Sequence, residues 1–425
     1  MWTRRTMLAG TAALAASGPA LSAPRKKQST EEYIRGIHQR LLCLDTHLDT
    51  PAVFVRPGWD IMQRHDYVNG LSQVDYPRMA EGGLDGGFFA IFTPQGPLTP
   101  EGMMAARDAA LVRAAAIREM VAKNAAHFEL AFSAADAPRI AASGKRVVYQ
   151  SIENAYPLAN DVTLLRGFYA LGVRLTGIAH FKNNQFGDSA TDKAQWNGLS
   201  PAGRELVALA NDLGMVLDQS HSSDDVFDQL VTLSRTPILL SHSGCRAVHD
   251  HPRNIDDGRL KKLAAVGGTV QINSLSAYLI DTPKNPDRDK AEGAIYSILR
   301  GIRSMTPADA AKAIAQGARA LKALNAQFPE PRATFEDYMS HMLHALKTVG
   351  VEHVGIGADW DGGGGVTGME DCASNWKITA RLLKEGYKEA DLEKIWSGNV
   401  LRVLKAAEDA RALAPAPPQP AGGGE

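Results

Sequence analysis

The sequence predicts an α/β protein of the (β/α)8 TIM-barrel class with a helical insertion before its eighth strand. Three observations lead there. Eight short apolar segments recur along the chain, and stretches with helical character separate them. No Gly-rich nucleotide-binding turn follows the first segment, as an open doubly wound sheet would usually show. A chain of 425 residues could form two or three domains or one large barrel. The regular alternation of strand and helix favours the barrel.

Taken in order, residues 1–23 stand apart. A twin-Arg pair, Arg4 and Arg5, precedes a short Ala-rich apolar run and a small-residue site at Ala20-Leu21-Ser22-Ala23. This pattern reads as a twin-arginine export signal, which places the mature protein in the periplasm or outside the cell. The run is too short and too weakly apolar to serve as a lasting membrane anchor. The barrel is expected over 24–410. Its first strand is "LLCLDTH" (41–47), followed by "GGFFAIFT" (86–93) and a helix over 101–126. "RVVYQSIEN" (146–154) and "GVRLTGIAH" (172–180) are the third and fourth strands, and a helix is expected over 200–214. Then come "GMVLDQSH" (214–221), "TPILLSHS" (236–243) and "GTVQINSLS" (268–276). Two Ala-rich helical stretches over about 283–333 form the insertion, a lid or an oligomer contact, before "EHVGIGADW" (352–360). The Pro/Gly-rich residues 411–425 cannot build a packed core and read as a disordered tail.

Composition excludes little but narrows the partners. Lys and Arg total 46 against 47 Asp and Glu, so nothing points to nucleic acid or an anionic membrane surface. Three cysteines, Cys43, Cys245 and Cys372, do not make a disulfide framework. Cys245 lies close to His242 but lacks a metal-binding signature, and a core role is the simpler reading.

The polar residues carry the chemistry. Asp45, His47 and Asp49 alternate, so they share one face of the first strand. His47 and Asp49 make a metal-ligand pair. Glu153, His180, His221, His242 and Asp359 end strands three, four, five, six and eight. Barrel strands converge on one face at their C-terminal ends, so these distant residues meet around one pocket. Singly, each reads more easily as a core or capping residue; their equivalent positions argue otherwise. His341 and His344, within a helix, read as structural, and His249 and His251 stay unassigned.

His and carboxylate ligands without Cys suit Zn²⁺, or less specifically Mn²⁺, Co²⁺ or Fe²⁺. Five ligands exceed one tetrahedral site but suffice for two ions if Glu153 bridges them. His47 and Asp49 then hold one ion, and His221 and His242 the other. Two ions about 3.5–4 Å apart can share a bridging hydroxide. Asp359 is placed to move its proton, and His180 to stabilise an oxyanion.

The chain resembles the renal (membrane) dipeptidase family, binuclear zinc dipeptidases of the amidohydrolase-like group. The likeness is carried by "DTHLD" (45–49), "IEN" (152–154), "LTGIAH" (175–180) and "DQSH" (218–221). It continues through "SHSGCRAVHDHPRN" (241–254), "VGIGADWDG" (354–362), "GMED" (368–371) and "LLKEGYKEADLEKIWSGNVLRVL" (382–404). The resemblance implies a dipeptide substrate, including L,D-dipeptides, two Zn²⁺ per chain and a homodimer. It also implies His180, Arg253 and Tyr278 as substrate contacts. Arg253, otherwise a loop charge, suits a free C-terminal carboxylate, which a guanidinium grips bidentately. A deaminase, lactonase or phosphotriesterase on the same barrel is the alternative. Those sites usually carry a second His on strand one and a modified Lys as bridge, where this chain has Asp49 and Glu153.

Overall fold

The computed structural model describes residues 29–66 and 71–412. Residues 1–23, read from the sequence as an export signal, and residues 413–425 lie outside the described residues. Residues 411 and 412, expected in the tail, instead complete the last helix, Asn399–Ala412.

Ten strands follow one another along the chain. They are β1 (Leu44–Leu48), β2 (Gly86–Ile91), β3 (Phe128–Leu130), β4 (Arg146–Ile152), β5 (Val173–Gly177), β6 (Val216–Asp218), β7 (Leu239–Cys245), β8 (Asn254–Ile255), β9 (Thr269–Ile272) and β10 (Val354–Ile356). Eight of them form the wall in the order β1-β2-β4-β5-β6-β7-β9-β10, every pair parallel. The expected barrel is therefore present. The short β3 and β8, absent from the sequence expectation, pair with β4 and β7. Several wall strands are also shorter than predicted: β5, β6 and β10 end three residues before His180, His221 and Asp359. The apolar run continues past the last ladder hydrogen bond, because the loops that rise to the mouth are buried as well.

The wall closes between β10 and β1. Leu48 bridges Trp360, and the Asp49 N–H donates to the Trp360 carbonyl at 2.8 Å. Asp45 clamps this seam, its carboxylate accepting the N–H of His47 at 2.9 Å and of Ala358 at 3.0 Å. Burial pushes the Asp45 pKa up to about 7 even so. Asp218 repeats the device between β6 and β7, accepting the N–H groups of Ser220 and Ser241.

The helices start and stop where capping chemistry directs. Ser200 accepts the Gly203 N–H and Pro201 opens Pro201–Leu213, which ends at Gly214 in the left-handed region (φ +72°). Leu44, Phe88, Tyr149, Leu175, Val216 and Leu239 lie in the first halves or at the centres of their strands and pack with Val400, Val403 and Leu404 of the last helix. That end of the barrel is thus sealed with apolar surface. The first helix, Thr30–His38, is tied down by a buried relay: Trp396 Nε1–H donates to Thr379 Oγ1, which faces His38 Nδ1 at 2.8 Å. His38 Nε2 is left to donate to the Gly82 carbonyl, also at 2.8 Å.

The insertion forms two helices, Pro286–Arg300 and Pro307–Gln327. They approach closely because Gly317 has no side chain; a Cβ there would meet Leu299 at 2.8 Å. The pair walls a cavity of about 1470 Å³ against the loops after β1, β9 and β10, with Ala52, Leu275 and Gly363 on the facing side. All three cysteines are buried and free. No helix among the described residues is long and apolar enough to cross a membrane.

Candidate metal centre and active site

The C-terminal ends of the strands bring the predicted residues together. His47 stands on β1 and Asp49 just beyond it; Glu153 follows β4 directly; His242 lies within β7. His180, His221 and Asp359 sit on the rising loops. Glu153 is the hub. Its Oε1 lies 3.3 Å from the Nε2 atoms of both His180 and His221, 3.5 Å from that of His47 and 3.8 Å from that of His242. His47 Nε2 is 3.3 Å from Asp49 Oδ2. Three overlapping groups result, with ligand atoms in each within 4.8 Å of one another: His47, Glu153 and His242; Glu153, His180 and His221; His47, Asp49 and Asp359. His221 and His242, expected together, have their Nε2 atoms 2.8 Å apart, and His180, expected outside the ligand set, stands beside Glu153 and His221 as well. The barrel packs the rings of His47 and His242 face to face at 3.8 Å, while His180 lies 4.0 Å from His221.

Several groups are built to receive a cation. His47 Nε2, Asp49 Oδ1 and Glu153 Oε2 are buried without a hydrogen-bond partner, and such atoms are costly unless paired or metal-bound. His242 is oriented from behind. Ser241 Oγ donates to the Asp218 carboxylate and lies 2.8 Å from His242 Nδ1. A hydroxyl has one proton, so His242 Nδ1–H donates to Ser241 and leaves Nε2 bare toward Glu153. Such a partner behind a ligating imidazole fixes its tautomer. The donor set of imidazoles and carboxylates fits Zn²⁺ or another divalent transition metal.

Electrostatics separate the acids. Burial would raise Glu153, but His180 and His47 beside it hold its carboxyl well below the usual range. Burial would lower His47, yet Glu153 and Asp49 hold it well above its ordinary value. Burial keeps His221 and His242 well below theirs, helped at His221 by Arg253 and at His242 by His47. Asp359 is pushed up to about 7 by burial, against the pull of His47. Its Oδ2 accepts the Asn273 Nδ2–H at 3.1 Å.

Arg253, taken as a surface charge from sequence alone, is 4% exposed. Its Nη2 donates to the His242 carbonyl at 3.0 Å, and its guanidinium lies 5.1 Å from the Tyr278 ring centre. Its Nε is buried and unpartnered. Tyr278 is buried on the short helix Ser276–Leu279, and His251 packs on its ring at 4.9 Å. His341 and His344 stand apart from the cluster. His341 Nδ1 accepts the Cys245 N–H at 2.9 Å, and His344 pairs with Asp257 at 2.7 Å.

Sequence reasoning missed Asn273, whose signal was present: it follows β9 as Glu153 follows β4. It also passed over Asp45 and Asp218 as clamps. The backbone is strained here too. Of six non-glycine residues with positive φ among the described residues, His221 (69°), Asp359 (65°) and Asp361 (67°) belong to this face.

Comparisons with known proteins agree in one direction. The family model described as membrane dipeptidase (peptidase family M19) matches residues 31–417. The dipeptidase tcpJ of Claviceps purpurea is 32% identical over 67% of this chain, and the match spans 56% of that relative's length. An uncharacterized dipeptidase of Schizosaccharomyces pombe is 28% identical over 86% of this chain and 81% of its own. Among solved structures, that of the probable dipeptidase PvdM from Pseudomonas aeruginosa superposes with a TM-score of 0.75 at 29% identity. It covers 89% of this chain and 98% of that one.

Proposed function

The chain belongs to the membrane dipeptidase family, peptidase family M19, and on that premise we propose that it is a metallo-dipeptidase hydrolysing the peptide bond of dipeptides. One observation carries the reading: four imidazoles and three carboxylates converge at the barrel mouth with a buried guanidinium beside them. His47, Asp49 and Glu153 would hold one Zn²⁺, and Glu153, His221 and His242 a second. Glu153 Oε1, 3.3–3.8 Å from the Nε2 atoms of His47, His221 and His242, would serve both sets. The ions, when bound, polarise the scissile carbonyl and lower the pKa of a coordinated water.

The chain's own residues do the rest. Arg253 takes the free C-terminal carboxylate on its fork, and the Tyr278 ring keeps that fork aimed. His180 donates from Nε2 to the oxygen of the scissile carbonyl as charge grows there. Asp359, with a pKa near 7, takes the proton from the attacking water and returns it to the departing amine. L,D-dipeptides are included in the proposed range. The deaminase, lactonase and phosphotriesterase reading loses ground because Asp49 stands where those sites carry a second strand-one His, and Glu153 where they carry a bridging Lys.

The test is a panel of L,L- and L,D-dipeptides, run with metal-replete and chelator-treated protein, beside Asp359→Asn. Turnover that survives chelation, or an Asp359→Asn variant with undiminished kcat, would refute the reading. Elemental analysis of the purified protein settles the metal and its count. Export through the twin-arginine segment and a homodimer remain part of the proposal. A reporter fused to residues 1–23 and light scattering test each in turn.

A further inference from the structure

The metal cluster is not evenly enclosed. The side chains of His47, Glu153, His221 and His242 are 1–4% exposed, but His180 is 13% exposed. The open edge of the cluster is therefore at His180, and two aromatic rings flank it. Phe92, just beyond β2, lies 4.9 Å from the His180 ring. Phe181 lies 4.0 Å from His180 and 5.1 Å from His221. Phe181 is also 47% exposed, a large apolar group left in water at the mouth of a polar site.

Its position is fixed rather than incidental. Thr191 Oγ1 donates to the Phe181 carbonyl at 3.0 Å, and Ser189 Oγ donates to that of His180 at 2.5 Å. Farther along the same loop, the Asp188 carboxylate collects the N–H groups of Gln195, Trp196 and Gly198. A ring carried on a backbone tied at two successive carbonyls, and resting against His180 and His221, is a preorganised contact surface, and ordering it costs a ligand little.

We propose that Phe92 and Phe181 form an apolar wall that selects dipeptides whose N-terminal residue bears an aromatic or large aliphatic side chain. This rests on the dipeptidase reading. If His180 meets the scissile carbonyl, that carbonyl belongs to the N-terminal residue, whose side chain branches from the adjacent Cα. The C-terminal residue is held away, toward Arg253. Covering the exposed face of Phe181 removes apolar surface from water, and an aromatic partner adds a ring–ring contact.

The test compares Phe-Ala, Leu-Ala, Ala-Phe and Ala-Ala on metal-loaded wild type, Phe181→Ala and Phe181→Leu. Wild type is expected to favour Phe-Ala over Ala-Ala by about tenfold or more in kcat/KM, with a smaller preference for Ala-Phe. Phe181→Ala lowers the Phe-Ala to Ala-Ala ratio by about tenfold, and Phe181→Leu restores part of it. A ratio unchanged in Phe181→Ala, with both substrates slowed alike, would mean that the ring only props His180 and would overturn the proposal. Calorimetry with Phe-Ala and Ala-Ala analogues whose peptide bond is reduced to CH2–NH separates the two readings. If no dipeptide is cleaved, the dipeptidase reading falls. Tighter binding of the Phe analogue, lost in Phe181→Ala, would still uphold the wall, and equal binding would sink it.

Discussion

Replacing Gly362 with alanine should disable the site while sparing the fold. Gly362 follows Asp361 in the loop after β10, and its own φ lies outside the left-handed region, so alanine suits its backbone. The side chain is the difficulty. A Cβ at this position would stand 2.1 Å from Asp359 Oδ1 and 2.2 Å from Asp49 Oδ2, where real carbon contacts essentially never fall below 3.0 Å. Both carboxylates must retreat by roughly 1 Å, and a misplacement of that size costs on the order of 10²-fold in rate, about 2.7 kcal/mol. Asp359 would lose its alignment with Asn273, and Asp49 its position beside His47 Nε2. The assay is kcat/KM on a cleaved dipeptide, with metal content by elemental analysis and a melting curve on the same sample. We expect a loss near 10²-fold, lowered metal occupancy and a melting temperature within a few degrees of wild type. Activity and metal content within twofold of wild type would refute the assignment of these two acids.

Further outcomes follow from other residues. Arg253→Met should raise KM for free dipeptides by a factor of about 30 or more, about 2 kcal/mol, and affect C-terminally amidated analogues far less; equal losses on both would exclude carboxylate recognition. Chelation should lower thermal stability, because a ligand at about 1,000 times its Kd stabilises the folded state by about 4 kcal/mol; matched melting curves with and without metal would contradict a bound cation. Burial pushes His38 and His341 from 6.5 down to about 4, so the unfolded chain binds protons more readily than the fold. Their contribution is complete above pH 6.5 and is lost as pH falls through 4, at most about 3 kcal/mol for each. Urea midpoints measured from pH 7 to 4 should fall steeply, and less steeply in His341→Gln; parallel slopes would show that His341 does not carry this effect.

Much of the site was legible because a barrel turns sequence position into spatial position. A polar residue at the end of an apolar run faces the mouth whatever its distance along the chain, which is why His47 and Asp359 could be joined on paper. The rule fails in three ways here. It treats Asp45 like its neighbours His47 and Asp49, although Asp45 clamps the seam between β1 and β10. It carries no information on irregular loops, so Arg253 read as a surface charge although its chain folds back beneath His242. It is also silent on pairing among ligands that share one hub. His180 joins Glu153 and His221 because of where the loop after β5 is tied, and those ties are side chain to backbone bonds that leave no periodic trace.

The positive φ angles of His221, Asp359 and Asp361 have a consequence for how the enzyme ages and fails. Each costs about 1 kcal/mol or more against an extended or helical alternative, so the surrounding barrel keeps this corner wound like a spring. Modest heat or dilute urea would let these three links relax while the sealed far end of the barrel still holds. Catalysis should then fade at gentler conditions than those that melt the protein.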